Sequence, residues 1–144
     1  YTYMVIPDLS LYLAFMGLVT QVVCAVIRNH RGAYLATQRD SGSFEGLWEF
    51  SGVKMEPGET FEEATARELK EELGITAKTN QVILTNTIEL GEKTLELLFV
   101  STQMVEGPIQ LKEHRSFRWL LPSEMSNYEW LPGDIPMVEK LSTI

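Results

Sequence analysis

Residues 52–75 read GVKMEPGETFEEATARELKEELGI and predict a turn followed by one long helix. Pro57 cannot continue a helix or a central strand, and Gly58 can adopt backbone conformations that are denied to other residues. Thr60 is followed three residues later by a glutamate, which is the spacing of a capping box at a helix start. Gly74 is a typical helix end.

The predicted helix has an apolar face and an acidic face. Ala66, Leu69 and Leu73 fall within about 60° of one another at 100° per residue, so we expect them to be buried. Three glutamates at i,i+3 and i,i+4 spacing share another face beside Arg67. Like charges at this spacing destabilise a helix, whereas a hard cation such as Mg²⁺ would reverse the sign of that interaction. A solvated charged face remains the alternative interpretation.

The spacing of the acidic residues resembles the signature of the Nudix hydrolases, G-x5-E-x7-R-E-U-x-E-E-x-G-U with U an aliphatic residue. Every position from Glu59 to Ile75 matches. The segment Leu47–Phe50 before it resembles the MutT-like branch of the same family. The resemblance implies an α/β (α+β) fold in which a mixed β-sheet is sandwiched between helices, an α/β/α sandwich.

The resemblance also implies roles for individual residues. Arg67, Glu68 and Glu71 would form the catalytic group, with Glu68 as base or further metal ligand and Arg67 orienting a carboxylate. Glu59, Gly58 and Gly74 would be structural. Which glutamate is the base stays open. The implied ligands for Mg²⁺, or for Mn²⁺, are the backbone carbonyl of Gly52 and the side chains of Glu68, Glu71, Glu72 and Glu113. For Glu113 a solvated loop position is an equal alternative.

One position departs from the signature, because Val53 stands where its first glycine falls. A β-branched residue is restricted in backbone conformation, and a positive φ would be strained there. We therefore expect an altered turn geometry and a lower turnover.

Residues outside the signature are candidates for substrate binding. They are Arg39, Phe50, Lys54, Trp130 and Asp134. Arg39 ends a predicted strand and would bind a phosphate or lie free on the surface. Asp134 would contact a base edge, with Trp130 or Phe50 packing against the base, or would cap the helix that follows. We interpret His114 as a surface or structural residue.

Composition narrows the range of partners. The chain has 144 residues and a net charge of −8, which argues against a nucleic-acid polymer or an anionic membrane as partner. Its single cysteine, Cys24, cannot form an intramolecular disulfide, which fits the cytoplasm, and its apolar neighbours predict a core position. We interpret residues 1–19 as an N-terminal extension. The alternatives for this segment are an edge strand, a tail packed on this subunit or on a partner, and a remnant of expression. A single Nudix domain spans 20–144, and we allow for a homodimer.

The remaining elements are predicted from hydrophobic patterns and turn residues. Residues 19–27 and 33–39 should be strands paired as a hairpin, and residues 82–90 and 94–104 a second hairpin around Gly91. Residues 116–121 should be a strand. Ser123 should start a helix, and residues 136–141 should form a short terminal helix.

The leading functional hypothesis is Mg²⁺-dependent hydrolysis of a nucleoside triphosphate to a nucleoside monophosphate and pyrophosphate. The nucleotide would be an oxidised purine such as 8-oxo-dGTP or a pyrimidine such as CTP. One alternative is hydrolysis of ADP-ribose or a nucleotide sugar. The other is a nucleotide-binding domain with residual catalysis, motivated by Val53.

Overall fold

A computed structural model of the chain describes residues 19–143. Seven strands form one sheet, and the elements in chain order are β1 (Val19–Arg28), β2 (Tyr34–Arg39), β3 (Trp48–Glu49), β4 (Ser51–Lys54), α1 (Phe61–Leu73), β5 (Thr76–Leu90), β6 (Lys93–Glu106), β7 (His114–Leu120), two 3₁₀ turns (Pro122–Asn127 and Pro132–Asp134) and α2 (Ile135–Ser142). The interpretation of residues 1–19 as an extension lies outside the described residues, except for Val19, which is the first residue of β1.

The sheet is mixed, as predicted. Its main path runs β3-β2-β1-β6-β5, with β4 paired to β1 and β7 paired to β2. Strands β1 and β6 are parallel over ten residue pairs, whereas β1 with β4 and β5 with β6 are antiparallel. The central strand β1 is buried from Val23 to Ile27, which agrees with its nearly continuous apolar sequence.

Successive residues of β1 supply the two cores on opposite faces of the sheet. Ala25 and Ile27 pack with Leu69 and Leu73 of α1 on one face. Cys24 packs on the other face in a cluster that includes Met137, Val138 and Leu141 of α2. The predicted sandwich of a mixed sheet between helices is confirmed, and so is the core position of Cys24.

Several predicted elements differ from the structure. The predicted hairpin of the first two strands meets only at Arg28 and Tyr34, because β1 bonds mainly to β4 and β6. Strand β5 starts at Thr76, six residues earlier than predicted. Its first half lies at the edge of the sheet, where polar residues are tolerated and no hydrophobic pattern marks the strand. The helix predicted at Ser123 is a 3₁₀ turn.

Residues 52–75 differ from expectation at two positions, Ala66 and Val53. Ala66 is exposed, and Ala64 and Thr65 are buried in its place, because the sheet covers a slightly different sector of α1. Val53 does not occupy a strained turn, since it lies in β4 directly opposite Val23, and Phe44 is the only non-glycine residue with positive φ between residues 19 and 143. The expected backbone strain at Val53 is therefore wrong.

Candidate active site

Local caps fix where α1 begins and ends, and thereby which way its glutamates face. The Thr60 hydroxyl accepts the N–H of Glu63 at 3.1 Å, and the Glu63 carboxylate accepts the N–H of Thr60 at 3.0 Å. Gly74 takes a left-handed conformation with φ of 68°, and its N–H donates to carbonyls of the last turn. Gly58 has φ of 82°, so both glycines occupy positions that disfavour a side chain.

Arg67 organises the exposed side of the acidic face. Its Nε and Nη2 donate to the two carboxylate oxygens of Glu59 at 2.8 and 3.0 Å, and its Nη1 donates to Glu68 Oε2 at 2.8 Å. The fork of Arg67 holds the pKa of Glu59 down at about 2, and Glu59 raises the pKa of Arg67 in return. The arginine thus fixes the orientation of Glu68 from the solvent side.

Glu72 lies on the inner side of the same face, in an open cleft of about 470 Å³. The residues lining this carboxylate cleft are Arg39, Asp40, Ser41, Glu49, Gly52, Glu72, Glu113 and His114. Burial raises the pKa of Glu72 to about 9, and the neighbouring carboxyls of Glu68 and Glu113 add to this effect. In the absence of a cation, the cluster therefore holds a proton at neutral pH.

The donor set of the carboxylate cleft fits a hard divalent cation. Glu72 interacts with both Glu68 and Glu113, and each of the three offers carboxylate oxygens, the ligands that Mg²⁺ prefers. A dication would replace the proton and reverse the mutual repulsion of these groups. Between residues 19 and 143, no group of three or more acidic, histidine or cysteine side chains is gathered that could hold a metal ion.

A second cavity of about 750 Å³ adjoins the cleft. The apolar part of the lining of this pocket, called the apolar pocket, includes Val22 of β1, Ile88 of β5, and Leu95 and Leu97 of β6. Arg39, Glu49 and Gly52 line both cavities and form their common wall. One ligand can therefore place an anionic part in the cleft and an apolar, planar part in the pocket.

Asp134 is the buried carboxyl of the apolar pocket. Its Oδ2 accepts the backbone N–H of Phe50 at 2.9 Å, and the residue is only 4% exposed. Burial raises the pKa of Asp134 to about 7, although the bond from Phe50 opposes this rise. Asp134 precedes α2, but its side chain makes no capping bond, so the expectation of a helix cap is wrong.

Comparison with known proteins identifies the family. A family model described as "NUDIX domain" matches residues 19–141. The chain belongs to the Nudix family. This confirms the family expected from residues 59–75.

Individual relatives of this Nudix chain agree with that result. It is 37% identical over 120 residues to the "CTP pyrophosphohydrolase" of Escherichia coli K12, covering 83% of this chain and 88% of the relative. It is 32% identical over 122 residues to the "Nucleoside triphosphatase NudI" of Escherichia coli O17:K52:H18, covering 75% and 86%. The solution structure of the E. coli ORF135 protein has a TM-score of 0.76 at 34% identity, covering 87% of this chain and 89% of that one. The crystal structure of a MutT protein from Methanosarcina mazei Go1 has a TM-score of 0.76 at 29% identity, covering 87% and 94%.

The structure gathers some predicted site residues and separates others. Gly52, Glu72 and Glu113 line the carboxylate cleft with Arg39, and Phe50, Lys54 and Asp134 line the apolar pocket. Neither Glu68 nor Glu71 is among the residues that line the cleft. Glu68 still interacts with Glu72, whereas the Glu71 side chain is 62% exposed and lies 3.7 Å from Arg67.

The Trp130 ring is placed differently from the prediction. It stacks on Phe50 with ring centroids 5.1 Å apart, and its Nε1 donates to the carbonyl of Met125 at 2.9 Å. Phe50 is itself 1% exposed. The two rings pack against each other in the core, so the expectation that Trp130 packs on a base is not supported, and Phe50 contributes only to the pocket wall.

Two residues that line the carboxylate cleft, Glu49 and His114, differ from what the sequence led us to expect. Glu49 is buried and accepts Nε–H of Arg39 at 2.9 Å, while burial raises the pKa of Glu49. Of the two alternatives for His114, the surface position is wrong and the structural one stands, since its side chain is 10% exposed and its Nε2 lies 3.8 Å from Glu49 Oε2. Burial lowers the pKa of His114, which keeps the imidazole neutral at pH 7. The sequence did contain a signal for Glu49, because a charged residue between the two aromatic residues Trp48 and Phe50 could have indicated a buried carboxylate with a partner.

Proposed function

We propose that this chain is a Nudix nucleoside triphosphate pyrophosphohydrolase that uses Mg²⁺, or Mn²⁺, to cut between the α- and β-phosphates. The observation that carries the proposal is the common wall of Arg39, Glu49 and Gly52 between the carboxylate cleft and the apolar pocket. A nucleotide lying across this wall places its phosphates beside the acidic residues and its base in the pocket.

Each part of the site has a physical task in this reaction. A bound dication would offset charge on the phosphate oxygens and activate water for hydrolysis. Glu68, Glu72, Glu113 and the carbonyl of Gly52 would hold it, with Glu71 completing the acidic face. Arg67 fixes Glu68 and keeps Glu59 ionised. Glu68 and Glu71 stay the candidates for the base.

The substrate side of the site is assigned on chemistry. The Arg39 guanidinium, whose side chain is 39% exposed, would contact phosphate from the common wall. Lys54 is exposed at the rim of the apolar pocket and adds a second positive charge. Asp134 would contact the edge of the base inside that pocket. The 37% identical relative is named for CTP, which supports a cytosine nucleotide as the first candidate and an oxidised purine nucleotide as the second.

The alternative of a nucleotide-binding domain with residual catalysis was based on strain at Val53, and this basis is removed because Val53 lies in a regular strand pair.

No helix between residues 19 and 143 has the length and apolar character needed to cross a membrane. The free, buried thiol of Cys24 supports the proposed cytoplasmic location. The homodimer stays a prediction.

The decisive assay measures both products over a nucleotide panel with and without Mg²⁺. The panel contains the four common ribonucleoside triphosphates, their deoxy forms, 8-oxo-dGTP and ADP-ribose. We expect equimolar nucleoside monophosphate and pyrophosphate from at least one triphosphate, only with the metal. Exclusive cleavage of ADP-ribose, or conversion of the triphosphate to a nucleoside diphosphate and orthophosphate, would refute the proposal.

A further inference from the structure

The turn that carries Asp134 is held from the neighbouring sheet by Asn86. The Nδ2 of Asn86 donates to the carbonyl of Gly133 at 3.0 Å. Asn86 lies in β5, is half-buried, and does not line the apolar pocket. The bond spans 47 positions of the chain and links the sheet edge to the turn of residues 132–134.

An asparagine at this position is not explained by the sheet alone. Leu84 and Ile88, two residues away on either side, pack against the core on the same face of β5. An apolar residue would suit such a position, and an amide there requires a partner. The Gly133 carbonyl is the partner that the structure supplies.

The contact acts on the peptide group next to Asp134. The Gly133 carbonyl and the Asp134 N–H belong to one planar unit. Asn86 binds the carbonyl, and the N–H donates to the carbonyl of Leu131 at 2.9 Å. With both polar groups bonded, the orientation of this peptide plane is fixed, and with it the direction in which the Asp134 side chain leaves the backbone.

The turn also lies directly against the walls of the pocket. A Cβ placed on Gly133 would be 2.7 Å from Leu97 Cδ1 and 3.3 Å from Ile88 Cδ1. Both of these side chains line the apolar pocket. A small movement of the turn therefore changes the position of Asp134 and the width of the pocket together.

We propose that Asn86 is a positioning residue for base selection, which acts through Gly133 on Asp134 without touching the nucleotide. This inference rests on the proposed function, because it requires a base in the apolar pocket. Loss of the bond should loosen Asp134, which weakens discrimination between bases more than it affects phosphate chemistry in the carboxylate cleft.

The test compares kcat and KM for the best and the poorest triphosphates of the panel in three variants. Asn86→Asp keeps the size but replaces the donor with an acceptor, and Asn86→Leu removes hydrogen bonding at similar volume. Thr87→Val is the matched control, since Thr87 is the next residue of β5 and is exposed. Thermal unfolding of each variant reports whether the fold is retained.

We expect both Asn86 variants to lower the selectivity ratio between the two substrates by about three- to tenfold, mainly through KM, as for one lost hydrogen bond. Thr87→Val should keep the wild-type ratio. In an Asp134→Ala background, Asn86→Asp should change the ratio no further, because its effect passes through Asp134.

The outcomes separate this inference from the proposed function. If wild-type protein hydrolyses triphosphates and the Asn86 variants slow all of them equally, the positioning role is refuted while the function stands. Equal rates for all bases in the wild type would also refute the positioning role. If the wild type releases no pyrophosphate from any triphosphate, both fail.

Discussion

Asp134→Asn removes a buried charge while nearly preserving shape. The amide oxygen of asparagine can still accept the N–H of Phe50, which now donates to Asp134 Oδ2 at 2.9 Å. The two side chains differ chiefly in that only aspartate can ionise. The substitution therefore isolates the free energy of carrying a carboxylate in the apolar pocket.

The magnitude follows from the pKa of Asp134 in the two states. Burial raises it from an ordinary value of 3.8 to about 7. Between these values the folded protein binds a proton that the unfolded chain has lost, so the free energy of unfolding falls as pH rises. The difference in pKa corresponds to a contribution of at most about 4 kcal/mol to the free energy of unfolding. This contribution is fully present below about pH 4 and fully lost above about pH 7.

Urea unfolding of wild type and Asp134→Asn between about pH 4 and about pH 8.5 measures this term. We expect the stability of the variant relative to wild type to rise by up to about 4 kcal/mol through this window and to level off above about pH 7. Asp40→Asn, at an exposed position, is the control and should follow the wild-type curve. A constant difference between wild type and Asp134→Asn across the window would refute the buried-carboxyl account.

Two further substitutions test the structure of the Nudix segment. Val53→Gly should lower the free energy of unfolding by about 1–2 kcal/mol, because Val53 lies in a strand pair and lines a small cavity with Thr65 and Glu68. The substitution should not raise turnover. Thermal unfolding and pyrophosphate release measure the two effects, and a variant with faster turnover would indicate that Val53 is strained after all. In Arg67→Lys, lysine cannot form the two hydrogen bonds to Glu59 that arginine forms. We therefore expect the apparent affinity for Mg²⁺, read from the Mg²⁺ dependence of turnover, to fall by about tenfold or more. A variant with the wild-type Mg²⁺ dependence would contradict the orienting role.

Local signals made the Nudix helix predictable from sequence. The capping box of Thr60 and Glu63 and the left-handed Gly74 depend on neighbours within five residues, and all are found as predicted. Strand β5 shows the opposite case. Residues 76–81 are polar or small and lie at a sheet edge, so no apolar alternation marks them.

Contacts between distant positions limited the prediction of the site. Phe50 and Asp134 are 84 positions apart, and sequence alone could not show that the carboxylate accepts a backbone N–H there instead of capping α2. The stacking of Trp130 on Phe50 is equally remote, and it removes an aromatic face that sequence reasoning had left open for a base. Glu49 was overlooked, and the burial of His114 could not be predicted, because both depend on the packing of β3 against β2 and of β2 against β7.

Magnesium binding by wild type and Glu72→Gln tests the central claim most directly. Calorimetry with a non-hydrolysable triphosphate present should detect Mg²⁺ binding to wild type and to Glu62→Gln, a control at an exposed position of α1. For Glu72→Gln we expect Mg²⁺ binding to weaken by about tenfold or more and turnover to fall by orders of magnitude, with the fold retained by circular dichroism. Equal Mg²⁺ affinity in wild type and Glu72→Gln would contradict the assignment of the carboxylate cleft as the metal site.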